Sequence, residues 1–193
     1  MRAALLALCL GLAAAAWGGV PISLAGAGAA AAVHGRFTQS KTVDGLSRPL
    51  LSRGTFSLLP GRGLVWRTLS PLQGTVVLSP KGVYALDGAA SRRLAAGTEP
   101  LALMNEVLSG DVVALRRSFV VRREGDDKAW RLVLVPLPGP LAVVVKSIEA
   151  EGASFARKAR LVEASGDVTE IRFESVEAGA GPLDRSEESL LGP

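Results

Sequence analysis

Covalent and redox chemistry need side chains that titrate, attack or ligate, and this chain is poor in them. Its 193 residues hold one histidine, His34, and one cysteine, Cys9. A Ser-His-Asp arrangement would have to use His34, which stands close to an expected cleavage point, and no zinc site could collect enough nitrogen or sulfur ligands. The acids Glu149, Glu151, Glu163, Asp167, Glu170 and Glu174 fall on expected strands and turns, where exposed charge is routine. These residue types argue against an enzyme and call for no metal or other cofactor. Apolar surface is what the chain has in quantity. Hydrophobic residues are 48% of it and aromatic ones 5%, so the apolar content is mostly Leu, Val and Ala.

The stretch Arg53 to Pro71, RGTFSLLPGRGLVWRTLSP, sets two apolar runs around a Pro60-Gly61-Arg62-Gly63 turn. In strands, successive side chains alternate between faces. Phe56 and Leu58 then share a face, as do Leu64 and Trp66, while Arg67 points away with Val65. Farther on, Trp130, Leu132 and Leu134 oppose Arg131, Val133 and Val135, and Thr169, Ile171 and Phe173 oppose Glu170, Arg172 and Glu174. The pattern predicts a sheet with one strongly apolar side and one mixed or charged side.

The elements that carry these faces are short apolar runs between turn residues, spaced as in an antiparallel sheet. Ser52 to Leu59 pairs with Gly63 to Leu69, and Gly74 to Ser79 with Gly82 to Asp87. Ser118 to Glu124 pairs with Ala129 to Pro136, and Ala156 to Ala164 with Val168 to Val176. Leu141 to Glu151 adds a strand after the breaker Pro136-Leu137-Pro138-Gly139-Pro140. Helical signals are fewer. Thr98-Glu99-Pro100 opens a helix with Leu101, Met104 and Leu108 on one face, Gly110 ends it, and Asp111 caps a second through Leu115. A first helix is expected from about Ala29 to Lys41, and a terminal one over Leu183 to Leu191.

The formal charge is +4 and the pI about 9.7, but the cations are dispersed. Arg92-Arg93, Arg116-Arg117 and Arg122-Arg123 are the densest clusters, and none is interleaved with aromatics, which argues against nucleic acid as a partner. The N-terminus, MRAALLALCLGLAAAAWGG followed by the small-residue tract Ala25 to Ala32, reads as an export signal over residues 1–32. It is either cleaved or kept as an anchor. Residues 33–193 are expected to form a single domain. Cys9 falls in the signal, so the mature chain would contain no cysteine, which suits a bacterial periplasm.

An apolar sheet side must be covered by a second sheet, by helices or by curling on itself. The expected helices are short for a sheet of about nine to eleven strands. The architecture expected is mainly β: an unclosed, curved antiparallel half-barrel with a short helical lid over an apolar cavity. A fully packed sandwich is the alternative on physics alone.

The order of features resembles a known family. Phe37-Thr38-Gln39, Gly54 opening a strand, an apolar stretch ending in Trp66, Pro71, the turn Ser79-Pro80-Lys81-Gly82-Val83-Tyr84, the helical insert and the late GDVTEIRFESVEAG resemble the periplasmic outer-membrane lipoprotein carriers, the LolA family, and more closely its divergent LolA-related branch. The resemblance covers about Phe37 to Leu191. It implies a monomeric periplasmic carrier that takes the acyl chains of a lipoprotein or related lipid from an inner-membrane donor to an outer-membrane acceptor, with no enzymatic step. Carried over by position, the strands of Phe56, Leu58, Trp66 and Val77 would line the concave side, with Leu101, Met104 and Leu108 in the lid. Typical carriers have an Arg-Pro pair before the Trp whose Arg latches the lid. Here that place reads Leu58-Leu59-Pro60-Gly61, so either Arg62 substitutes or the latch is missing, and the cargo is a lipoprotein or another lipid or pigment-like acyl product. The same fold could instead serve as a sensor that docks a membrane protein.

Overall fold

In a computed structural model of the chain, residues 32–88, 90–96, 99–109, 111–179 and 181–191 are described. The expected export signal with Cys9, the Thr98 cap and the Gly110 stop lie outside them. Six strands come first: β1 Val33–Thr42, β2 Leu50–Leu59, β3 Gly63–Ser70, β4 Gly74–Ser79, β5 Gly82–Asp87 and β6 Ala90–Ala96. Helices α1 Glu99–Ser109 and α2 Val112–Leu115 follow, then β7 Phe119–Asp126, β8 Ala129–Pro136, α3 Pro140–Val144, β9 Val145–Gly152, β10 Ala156–Glu163, β11 Val168–Ala178 and α4 Arg185–Leu191. The strands form one 11-stranded sheet in the order β6-β5-β4-β3-β2-β1-β11-β10-β9-β8-β7. It is mainly antiparallel hairpins laid side by side, and it does not close, because β6 and β7 are its two ends. Each end carries two consecutive exposed arginines, Arg92-Arg93 and Arg122-Arg123.

Contacts divide the chain into two compact units. The described residues of the first lie within 32–36, 53–102 and 175–191, those of the second within 37–52 and 103–174.

In the first unit Phe56 pairs with Trp66 and Trp66 with Val76, while Leu58 pairs with Leu64 and Leu64 with Leu78. These six share one face. Ser57, Val65 and Val77 pair in a row on the other. That second face is covered by the C-terminal helix: Leu59, Val65, Val77, Leu86 and Leu191 form a buried cluster, with Leu183 and Leu190 packed on it. Gly63 makes the approach of α4 close, since a Cβ there would overlap the Leu78 carbonyl and the Leu191 side chain.

A capping box holds the start of α4. The Asp184 carboxylate accepts the Glu187 N–H at 2.8 Å, and Glu187 Oε2 accepts the Asp184 N–H at 2.9 Å. Glu187 is fully buried and also receives the Arg67 guanidinium from β3: Nε donates to Oε1 at 2.6 Å, and a second nitrogen, Nη2, donates to Oε2. Nη2 also donates to the Pro182 carbonyl at 2.9 Å. Such a bidentate pair fixes geometry as well as charge.

The second unit sorts its residues by face. Leu132, Ala150, Ala159 and Ile171 lie in one cross-strand row, and Leu134, Ile148, Leu161 and Thr169 in the next on the same side. The opposite side carries the rows Arg131, Glu151, Lys158, Arg172 and Val133, Glu149, Arg160, Glu170. There Arg131 meets Glu149 at 2.9 Å, while Arg160 meets Glu149 and Glu170 at 3.6 Å each. Exposed pairs of this kind stabilise little individually. Lys41, by contrast, is buried at the end of β1, donating to Glu163 at 2.6 Å with Asp167 at 3.4 Å.

Three expectations change, and one strand had no assignment. No helix covers the residues up to Lys41 that are described: 33–42 form β1, in which Gly35, Phe37, Gln39 and Lys41 are buried in strict alternation, a period-2 pattern. Leu141 to Glu151 is not all strand, because Pro140 stands at the first turn of α3 and starts a short helix before β9. Ala90 to Ala96, whose arginines gave no apolar signal, is the edge strand β6. The terminal helix begins at Arg185, after the Asp184 cap, rather than at Leu183.

Candidate functional site

The expected site residues fall on both units. In the first, Phe56 and Trp66 stand opposite each other on β2 and β3 with stacked rings, centroids 6.3 Å apart and planes at 29°. Leu58 and Leu64 are the next cross-strand pair on that face, and all four are buried. Aromatic stacking of this kind adds to the burial of the rings themselves. Val77 does not join them. Its neighbour Val76 faces Trp66, so Val77 points into the cluster under α4 with Val65 and Leu191. It lies on the opposite side of the sheet from Trp66, because with period 2 one residue reverses the face.

In the second unit Trp130, Leu132 and Leu134 are buried along β8. The Trp130 indole N–H donates to the Ala153 carbonyl, which fixes the ring at the turn between β9 and β10. Gly152 lies beneath it, where a Cβ would press on the ring. Phe173 is buried and meets Phe155 edge-on, centroids 5.7 Å apart at 85°, while Ile171 is half-buried. The apolar face therefore spans four adjacent strands, β8 to β11.

Among the α1 residues whose burial is described, Leu103, Val107 and Leu108 are buried. Met104 is half-buried, and Leu101 sits in the first turn. Of the expected Leu101, Met104, Leu108 line, Leu108 is thus buried with Leu103 and Val107, and Met104 is half-buried beside them. Glu106 shares the helix, and burial, followed by the nearby Asp111 charge, holds its carboxyl above the usual range against the opposing pull of Arg117.

Arg62 is exposed in the β2–β3 turn, its N–H donating to the Leu59 carbonyl at 3.0 Å. Arg67, which strand alternation points away from Trp66, has a buried carboxylate partner in Glu187. The signal lay in Asp184-Arg185-Ser186-Glu187, a capping-box spacing whose Glu needs a cation if it is to be buried. Grooves of about 420 and 270 Å³ open on the second unit, and both draw on the charged rows, including Arg131 and Glu151. The larger one also reaches Trp130, while the smaller is lined almost entirely by charged side chains.

The family model described as outer membrane lipoprotein carrier protein LolA-like matches residues 19–180. No curated protein matches the chain. Among solved structures it is similar to a LolA superfamily protein from Nitrosomonas europaea, at 8% identity and a TM-score of 0.46, covering 79% of this chain and 88% of that one. It is similar to the Pseudomonas aeruginosa MucA/MucB complex structure, at 13% identity and a TM-score of 0.45, covering 83% of this chain and 56% of that one. It is also similar to the Mycobacterium tuberculosis lipoprotein LppX, at 10% identity and a TM-score of 0.39, covering 80% and 88%. The match to the family model, which spans most of the chain, is what places it.

Proposed function

As the chain belongs to the outer membrane lipoprotein carrier protein LolA-like family, we propose that it is a periplasmic carrier that binds the acyl chains of a lipoprotein or a related lipid and passes them toward the outer membrane. The observation that carries this reading is the sorting of β8 to β11 into a charged side and an apolar side. Leu132, Leu134, Ile171 and Phe173 supply the apolar side in the second unit, and Phe56, Leu58, Leu64 and Trp66 supply one in the first. Once what keeps these side chains from solvent has moved off them, an alkyl tail moved from water onto such surface gains about 0.8 kcal/mol per CH₂ buried. That suffices to hold a chain of ordinary length, and it sets no directional bond that would prevent release.

In this reading α1, with Leu101, Met104 and Leu108, serves as the lid and Arg62 as its latch. The protein works as a monomer, receives cargo from an inner-membrane donor and yields it to an outer-membrane acceptor. No bond is made or broken in the cargo. The test is native mass spectrometry of the protein recovered from its own periplasm. Co-purifying acylated species are expected. Recovery free of any acyl species, together with no uptake of a fluorescent fatty acid at micromolar levels, would remove the carrier reading.

A further inference from the structure

Exposed aliphatic side chains gather at one end of the second unit. β7 begins and β8 ends there, joined by the Leu137 N–H donating to the Ser118 carbonyl at 2.9 Å, and Val120 faces Val135 across the pair. α2 leads into β7 and α3 follows β8, so both short helices sit at this end. Val113 is 77% exposed, Val143 75%, Val120 62%, Val135 47% and Leu137 38%. The far end of the same strand pair, Glu124 to Lys128, has no aliphatic side chain and three acids. A concentration of apolar groups at one end, where water is a poor partner for them, marks a contact surface.

Cations flank that end. Arg116 and Arg117 in the turn after α2, Arg122 on β7 and Lys146 on β9 are all exposed, with Arg122 3.4 Å from Glu124. From Asp111 to Arg123 the only acid is Asp111. Its carboxylate is turned onto the Val113 and Ala114 N–H groups, 3.1 Å from each.

We propose that this end of the second unit rests reversibly on the surface of an anionic lipid bilayer. The aliphatic side chains enter the boundary between headgroups and acyl chains, and Arg116 and Arg117 meet the headgroup phosphates. A bilayer suits the patch better than a protein groove. The apolar groups are small, and among the described residues no exposed aromatic or Met stands with them to fill a partner's pocket. Short aliphatic groups beside arginines match the interfacial zone, and so few of them give a contact that comes apart readily. The contact does not depend on cargo, so a chain that binds no lipid tail would keep it.

The test is vesicle flotation of the protein as it accumulates in its producing cell, with phosphatidylglycerol vesicles and with phosphatidylcholine vesicles. Wild type is compared with Val113→Asp/Val143→Asp and with Arg116→Gln/Arg117→Gln. All three share the same N-terminus, so any contribution from it cancels. Wild type is expected to prefer phosphatidylglycerol, and the aspartate pair to lower that binding at least about fivefold. The glutamine pair should abolish the preference and its salt sensitivity. Because these positions are exposed, circular dichroism and the melting temperature should not move. Equal flotation of wild type and both variants overturns the proposal. So does loss of a cross-linked protein partner with flotation unchanged, which would make the patch a protein interface.

Discussion

The Arg67 guanidinium grips both oxygens of the Glu187 carboxylate, Nε lying 2.6 Å from Oε1, from the side of β3 that faces away from Trp66. One strand thus serves two purposes at adjacent residues: Trp66 supplies the candidate binding face and Arg67 ties down the helix that seals the reverse face.

Removing one partner of this pair should be far worse than removing both. Arg67→Met leaves the buried Glu187 charge uncompensated and is expected to cost roughly 3–5 kcal/mol. Arg67→Met/Glu187→Met should recover much of that loss. Urea unfolding of the single and double variants measures the coupling, and simple additivity would show that the pair does not act as a unit.

Asp184 predicts an acid-sensitive terminal helix. The Glu187 N–H, as the largest influence, holds its carboxyl below the usual range. A lowered folded value means that the stabilisation is present above the ordinary Asp value of about 3.9 and is lost as pH falls through the lower folded one. Asp184→Ala should cost about 1 kcal/mol near neutrality. The gap between wild type and variant should close on acidification, as followed by thermal unfolding across pH.

Glu106 has the opposite sign. Its folded value is raised, chiefly by burial, so its charged form weakens the fold above that value and the penalty disappears below the ordinary Glu value. Glu106→Gln is expected to raise the melting temperature at neutral pH and to leave it unchanged in acid. A variant that melts lower than wild type at neutral pH would contradict this.

The two faces of β3 and β4 should separate binding from stability. Trp66→Ala is expected to reduce uptake of a fluorescent fatty acid severalfold, while Val77→Ala should cost about 2 kcal/mol of stability and leave uptake per folded molecule unchanged. Titration with the probe and urea unfolding, run on both variants, check the pair of outcomes. Equal loss of uptake would place both side chains at one site.

Much of this was legible from alternation alone. Trp130, Leu132 and Leu134 against Arg131, Val133 and Val135 foretold the two-sided sheet, because burial on one face leaves a period-2 trace. Gly and Asp in the turns foretold the hairpins. The trace fails where both faces are buried: the β2 to β4 strands read as continuous apolar runs, so nothing local told Val76 from Val77, and only the register with Trp66 decides. Burial of Lys41 was also hidden, since it depends on Glu163 and Asp167 more than a hundred residues away. β6 escaped because an edge strand tolerates the charges that would disqualify a central one.

Those same edge charges shape how the molecule behaves in a crowd. A sheet with two open ends invites copies to add strand to strand, and arginines exposed on both outermost strands work against it. Charge on the outermost strands is one of the ordinary guards against such growth into ribbons.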